Sequence, residues 1–250
     1  MTLIQGLLLG LLQGLTEFLP VSSSGHLVIA QHFFNFSTPP VAFDIFVHLA
    51  TALAVIIVLK PVLLKLNRRL IGLILLASLP AGLIGFFLNQ KVEALFNSLV
   101  LVGLAFIITA VLLFSTRLTH RLARKQTTKL TSQNSFIIGL FQALAIVPGI
   151  SRSGSTITAG LFQRLKPETA FNFSFLLSLP AILGAQLLHL NELTNTGSYS
   201  PLSLTVGFFS AFISGLLSLK LLKKLLIKGK LHWFGFYCLL VGSLILITCL

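Results

Sequence analysis

The sequence predicts an all-α polytopic membrane protein: six transmembrane helices plus two re-entrant helix hairpins, arranged as an inverted-topology repeat. Three observations carry that reading. Hydrophobic residues fill 55% of the 250 positions and charged residues only 9%, against about 25% charged in an average soluble domain. Apolar runs recur at roughly the 20-residue length that crosses a hydrocarbon core. Two further apolar stretches are broken in the middle by proline, glycine and serines, and these two are alike. With a mean hydropathy of +0.98, a soluble globule of this size is excluded.

The first element, Leu3 to Phe34, is apolar at both ends and interrupted by Pro20 and Ser22-Ser23-Ser24-Gly25, so it reads as helix, loop, helix. Uninterrupted runs follow at Phe43 to Leu59, Leu70 to Leu88 and Ser98 to Phe114. A second broken stretch covers Phe136 to Leu165, and three more runs follow at Phe171 to Leu190, Leu202 to Leu222 and Leu231 to Leu250. Met1-Thr2-Leu3 lacks the basic start of a cleaved signal peptide, so the first segment is expected to stay in the mature protein. Cys238 and Cys249 both lie in the last run, which offers neither a disulfide framework nor a C-x-x-C metal site.

A net charge of +13 would suggest nucleic acid in a soluble protein. In a membrane protein basic residues mark cytoplasmic loops instead, so the expected surroundings are membrane lipid and no nucleic acid. Lys60, Lys65, Arg68 and Arg69 follow the first crossing, Arg117 to Lys129 holds five basic residues after the third, and Lys220 to Lys230 holds another five. Asn191 to Pro201 has none, and Lys91 stands alone in its loop, which places these two loops outside. By parity, Phe136 to Leu165 then enters and leaves on the cytoplasmic side. Its first limb, Phe136 to Val147, is about 18 Å long as a helix, roughly half of a bilayer core near 30 Å. The N-terminal segment, by the same count, dips in from outside if its break is re-entrant, the alternative being a kinked full crossing.

At an offset of 129, Gly10, Gln13, Leu15, Ser22, Ser24 and Gly25 match Gly139, Gln142, Leu144, Ser151, Ser153 and Gly154. Each copy is one hairpin plus three crossings. Three is odd, so the second copy is inverted in the membrane, an architecture that places a site at the midplane. The expected organisation is a single membrane domain over 1–250, with repeats at about 1–116 and 130–250 joined by a basic cytoplasmic loop.

Irregular backbone at membrane depth is tolerated only where it is buried in protein or lines a wet cavity. In each hairpin a serine-rich turn precedes a second half-helix, so cap hydroxyls, free N–H groups and a positive dipole end face the midplane and suit an anion. Arg152 is the one basic residue expected at that depth, where a lone Arg costs several kcal/mol, and Glu17 is the matching acid. The two would serve equally as a buried ion pair between the hairpins, but the surrounding serines favour a phosphate or pyrophosphate site. His26 follows the first serine turn, where it would bond a phosphate oxygen, act as acid, base or nucleophile, or simply bond backbone. Ser22, Ser23, Ser151, Ser153 and Thr156 fit as ligands to phosphate or as caps and packing residues. Asp44 and His48, one helical turn apart, read as an interfacial hydrogen bond. His32, His120, His189 and His232 take no role.

Gln13-Gly14-Leu15-Thr16-Glu17-Phe18-Leu19-Pro20-Val21-Ser22-Ser23-Ser24-Gly25-His26 and Pro148-Gly149-Ile150-Ser151-Arg152-Ser153-Gly154 resemble the motifs of the undecaprenyl-diphosphate phosphatase family associated with bacitracin resistance. The resemblance extends over nearly the whole chain. It implies an enzyme of the bacterial cytoplasmic membrane that removes the terminal phosphate of undecaprenyl diphosphate, with its site open to the periplasm, and a possible homodimer. Residue by residue it implies Gln13 with Glu17 as the acidic motif, Ser22, Ser23 and His26 as the serine and histidine set, and Ser151, Arg152, Ser153 and Thr156 as the phosphate-binding set. Many relatives have Glu where this chain has Gln13, so a divalent cation, Mg²⁺ or Ca²⁺ by resemblance, would rest mainly on Glu17.

Arg152 would clamp the diphosphate while Glu17 positions water or activates a nucleophile, Ser23 or His26; phosphoenzyme and direct water attack need the same residue types. Two other classes stay open. Inverted repeats also build transporters, which would move phosphate or a phosphorylated prenyl lipid and need no nucleophile. A phosphatidic-acid-type phosphatase would want a His and an Asp after the Ser-Arg pair, and Thr156 to Gln163 has neither.

Overall fold

The structure, a computed structural model, describes residues 1–34, 41–88, 91, 94–119, 126–188 and 200–249. The expected external loop from Asn191, most of the basic stretch after Arg117, and His120 and His189 lie outside those residues. The named helices among the described residues are α1 (Leu3–Phe18), α2 (Ser23–Phe33), α3 (Val41–Val58), α4 (Lys60–Leu63), α5 (Arg68–Phe87), α6 (Leu99–Thr119), α7 (Ser132–Leu144), α8 (Arg152–Phe162), α9 (Pro167–Leu188), α10 (Pro201–Ile227) and α11 (Trp233–Cys249). Among the described residues the sole β-type pairing is one parallel bridge between Thr127 and Leu165.

Four of these helices are long and apolar enough to cross a membrane: Arg68–Phe87, Leu99–Thr119, Pro167–Leu187 and Pro201–Ile227. Leu3–Phe18, Phe43–Val58 and Trp233–Cys249 are shorter apolar helices. The chain is thus an all-helical, multi-pass membrane protein. Leu75, Leu79, Leu83 and Phe86 form an exposed stripe along α5, an apolar face that lipid covers at no cost and water would not.

Local chemistry sets the helix ends. Thr2 and Gln5 form a capping box on α1, and Thr131 and Asn134 form one on α7, each satisfying two otherwise free donors. Helix α10 runs five residues beyond its apolar stretch, to Ile227, because Lys220, Lys223 and Lys224 can lie along it while their ammonium groups reach polar surroundings. It stops at Gly229, whose φ of +67° lets the Lys230 N–H bond the Leu225 carbonyl at 2.9 Å.

Small residues set how closely the helices approach. Gly6, Gly10 and Gly14 lie on one face of α1, and a Cβ on Gly10 or Gly14 would collide with α10 at Gly207, Ser210, Ala211 and Ser214. The Ser218 hydroxyl donates to the Gly14 carbonyl at 2.7 Å across that seam. Gly139 brings α7 equally close to the Ala77 backbone of α5. Contacts between the two halves are reciprocal: α1 packs on α10 and α7 on α5, α3 packs on α10 and α9 on α5, and α6 packs on α11.

Both broken segments form helix–loop–helix units with α1 packed on α2 and α7 on α8. The ends of the second are tied together. The Thr127 N–H donates to the Arg164 carbonyl at 2.9 Å, the Lys166 N–H donates to the Thr127 carbonyl at 2.9 Å, and the Asn134 side-chain N–H donates to Gln163 at 2.8 Å. The start of α7 and the end of α8 therefore lie side by side.

Candidate active site

The two hairpin loops end in the same device. Ser22 is the N-cap of α2 and accepts the Gly25 N–H, and Ser151 is the N-cap of α8 and accepts the Gly154 N–H at 3.1 Å. Ser22 adopts a φ of +67°, uncommon for a residue with a Cβ. In the second loop Gly149, at φ +98°, lies so close to Val102 and Ala105 that a Cβ would collide.

Each loop is also pinned by a helix of the other half. Thr109 of α6 donates its hydroxyl proton to the Gly149 carbonyl at 2.9 Å and accepts the Ser151 N–H at 3.0 Å. Cys238 of α11 directs its thiol at the Pro20 carbonyl, 3.6 Å away. Thr109 and Cys238 are 129 residues apart, the same offset that relates the two hairpins.

Between the loops, one carboxylate gathers three other residues that the sequence singles out. Glu17, on the last turn of α1, accepts from Arg152 Nη2 on Oε1 at 2.6 Å. Its Oε2 accepts the Ser23 hydroxyl proton at 2.6 Å and the Gln13 Nε2 proton at 3.1 Å. Gln13 and Glu17 are buried, one helical turn apart on α1. The Arg152 guanidinium also lies 5.7 Å from the ring centre of Phe175, which packs edge-on against Phe18; the rings hold the cation over an apolar floor. Arg152 Nη1 and Gln13 Oε1 are buried with no protein partner, a free donor and a free acceptor beside the Ser23–Glu17 bond.

His26 is held elsewhere. Its Nδ1 lies 2.7 Å from the Ser22 carbonyl, which can only accept, so the ring proton sits on Nδ1. Nε2 lies 2.7 Å from the Tyr237 hydroxyl, which donates to it when the ring is neutral. The imidazole stacks on the Tyr237 ring with centroids 5.6 Å apart and meets Phe106 edge-on. Both nitrogens are engaged, and the ring holds the first turn of α2 against α11.

The remaining residues divide by partner. The Ser151 and Ser153 hydroxyls are 3.3 Å apart at the N-terminus of α8, and Ser22 and Ser24 are 3.4 Å apart at that of α2. The Thr156 hydroxyl bonds the Arg152 carbonyl at 2.8 Å and the Ser174 hydroxyl at 2.6 Å, so it braces α8 against α9 behind the cluster.

His48 reaches the site, which its spacing from Asp44 did not reveal. Its Nε2 lies 3.9 Å from Glu17 Oε2, and its Nδ1 donates to the Asp44 backbone carbonyl at 2.7 Å, not to the carboxylate. The Asp44 carboxylate accepts instead from Gln31 at 3.0 Å. Tyr237 and Thr109 carried no signal in sequence, because their partners are distant in the chain and neither lies in a motif.

No group of three or more His, Cys, Asp and Glu side chains is placed to hold a metal among the described residues. A hard divalent cation takes six or more oxygens, and one carboxylate plus the free Gln13 oxygen falls short of a closed protein site. That donor set does fit a cation whose other ligands are phosphate oxygens and water.

A family profile described as "Bacitracin resistance protein BacA" matches residues 6–244. Among curated proteins, an undecaprenyl-diphosphatase of Desulforapulum autotrophicum is 42% identical, covering 99% of this chain and 99% of that protein. Proteins of the same name from Methanococcus vannielii and Carboxydothermus hydrogenoformans are each 41% identical, covering 97% and 99% of this chain and 99% and 97% of their own lengths.

Proposed function

Because this chain belongs to the family of bacitracin resistance protein BacA, we propose that it is an undecaprenyl-diphosphate phosphatase. It hydrolyses undecaprenyl diphosphate to undecaprenyl phosphate and inorganic phosphate, and so returns the lipid carrier to peptidoglycan synthesis. The observation that carries the chemistry is the Ser23 Oγ–Glu17–Arg152 chain, with both bonds at 2.6 Å. A hydroxyl bonded to a carboxylate that a third group orients is the arrangement an activated nucleophile requires. The comparisons do not favour the transporter reading, since the relatives carry phosphatase names.

Ser23 Oγ forms the new bond to the terminal phosphorus as its proton passes to Glu17 Oε2. The bond from phosphorus to the bridging oxygen breaks, and that oxygen leaves with undecaprenyl phosphate. Glu17 gives that proton to solvent and takes one from a water whose oxygen attacks the phosphorus; the bond from phosphorus to Ser23 Oγ breaks, inorganic phosphate is freed, and Glu17 returns its proton to Ser23 Oγ. Charge neutralisation supplies most of the rate in such transfers. Arg152 Nη1, the free N–H groups of α2 and α8, and the Ser22, Ser151 and Ser153 hydroxyls aim at the diphosphate oxygens, and Thr156 holds the turn that carries Arg152. Glu17 and the Gln13 oxygen would hold a divalent cation, Mg²⁺ or Ca²⁺, which when bound neutralises diphosphate charge.

The fold reading belongs to the same proposal: one membrane domain of six crossings and two re-entrant hairpins, in repeats of about 1–116 and 130–250 inverted about the midplane. The tied ends of α7 and α8 support re-entrance. The reciprocal helix contacts and the equivalent roles of Thr109 and Cys238 support the repeat. The basic loops put the mouth of the site on the periplasmic side of the bacterial cytoplasmic membrane.

The test is phosphate release from a prenyl diphosphate by purified protein in detergent, with and without EDTA. Detergent leaves no second compartment, so release establishes hydrolysis, and its loss in EDTA adds the cation. Folded protein that releases nothing removes the phosphatase reading.

A further inference from the structure

A hairpin that turns back at mid-depth leaves the other half of the bilayer to be filled beneath it. Helix α2 has 11 residues, about 16 Å against a core of roughly 30 Å. Under the tip of the first hairpin, between it and the facing ends of α10 and α11, lies a groove of ≈ 690 Å³. Leu12, Leu19, Leu225 and Phe234 make its walls apolar, and Lys230 and Trp233 also line it. Lys230 closes the basic run that begins at Lys220. Glu17 and Gln13 point to the other side of α1, into the cluster with Arg152. Tyr237 lines the groove and bonds His26, so it forms part of the wall between groove and site.

We propose that this groove binds an anionic glycerophospholipid of the cytoplasmic leaflet, one acyl chain lying against Leu12 and Leu19 and the phosphate on Lys230. An apolar groove this size does not fill with ordered water, and the material beside it in the membrane is acyl chain. Lys230 is its only charged lining residue, with Lys228 two positions away, so the head group that fits is negative. Trp233, more than half exposed, has the amphipathic ring that settles at head-group level. The proposal rests on the re-entrant placement of the first hairpin and on no part of the phosphatase chemistry.

Trp233 is the only tryptophan in the chain and reports on the groove directly. The full chain is reconstituted in phosphatidylcholine vesicles carrying either bromine-labelled phosphatidylglycerol or bromine-labelled phosphatidylcholine, and quenching is followed with mole fraction. Brominated phosphatidylglycerol is expected to reach half-quenching at about fivefold lower mole fraction, the equivalent of ~1 kcal/mol for one lysine. Lys230→Gln is expected to merge the curves, and Lys230→Arg and Lys129→Gln to leave them apart. Coincident curves in the unsubstituted protein, or a merger in Lys129→Gln as well, would overturn the proposal, the latter by showing attraction to the whole basic surface. Displacement of the brominated lipid by a prenyl phosphate at lower mole fraction than by unlabelled phosphatidylglycerol would also overturn it, by naming a different occupant. A cysteine at Thr127 that labels only from inside, together with coincident curves, removes the groove and leaves the topology standing.

Discussion

Arg152 Nη2 and Glu17 Oε1 meet at 2.6 Å although they are 135 residues apart in sequence, so a single ion pair joins the first turn of α8 to the last turn of α1. Each hairpin alone would hold an unpaired charge among apolar helices. Together they hold a neutral pair in which one buried guanidinium nitrogen has no protein partner. A diphosphate that takes that nitrogen binds between the two halves of the molecule.

If Ser23 is the nucleophile, Ser23→Ala lowers kcat about 10³-fold, the usual scale for loss of an activated group. His26→Gln costs much less. Phosphate release by both variants checks this; a larger loss from His26→Gln would transfer the role to the imidazole.

Tyr237→Phe removes the hydroxyl that His26 Nε2 accepts and leaves the stacked ring. The expected loss is about tenfold in kcat/KM, ~1.4 kcal/mol. In a double-mutant cycle with His26→Gln the two losses fail to add, because both break one bond. Additive losses would mean that Tyr237 acts on its own.

Gly10→Leu pushes α1 away from α10 at Gly207 and Ser210. It is expected to lower stability by ~1–3 kcal/mol, seen as an earlier thermal transition in detergent, and to lower activity because Glu17 rides on α1. Gly82→Ala, with nothing within 4 Å of the added Cβ, should change neither.

A cysteine in place of Ser198 is expected to label from outside intact cells, and one in place of Thr127 only after lysis. The opposite pattern would reverse the orientation of the whole chain.

The hairpins were legible in sequence because Pro20 and Pro148 and their serines interrupt otherwise apolar stretches. Helix ends were less so: α10 continues to Ile227 past the apolar boundary at Leu222, since lysines on a membrane helix need only their charged tips outside. Glu17 and Arg152 stood out as lone charges at depth, where burial demands a partner. The sequence left Ser23 and His26 as alternative nucleophiles, because the partners that set the environment of His26 are the Ser22 carbonyl and Tyr237, the latter 211 residues away. The reach of His48 to Glu17 was hidden for a similar reason, since only the packing of α3 beside α1 brings it there.

The central claim is that the Arg152–Glu17 pair lies at the reacting phosphate, and phosphate release from undecaprenyl diphosphate by Arg152→Ala in detergent tests it most directly. The account predicts activity below a tenth of the unsubstituted protein, a loss of more than ~1.4 kcal/mol, in a variant that inserts and elutes as a folded protein. Activity above a tenth in that folded variant would contradict it and leave the pair as a structural link between the hairpins.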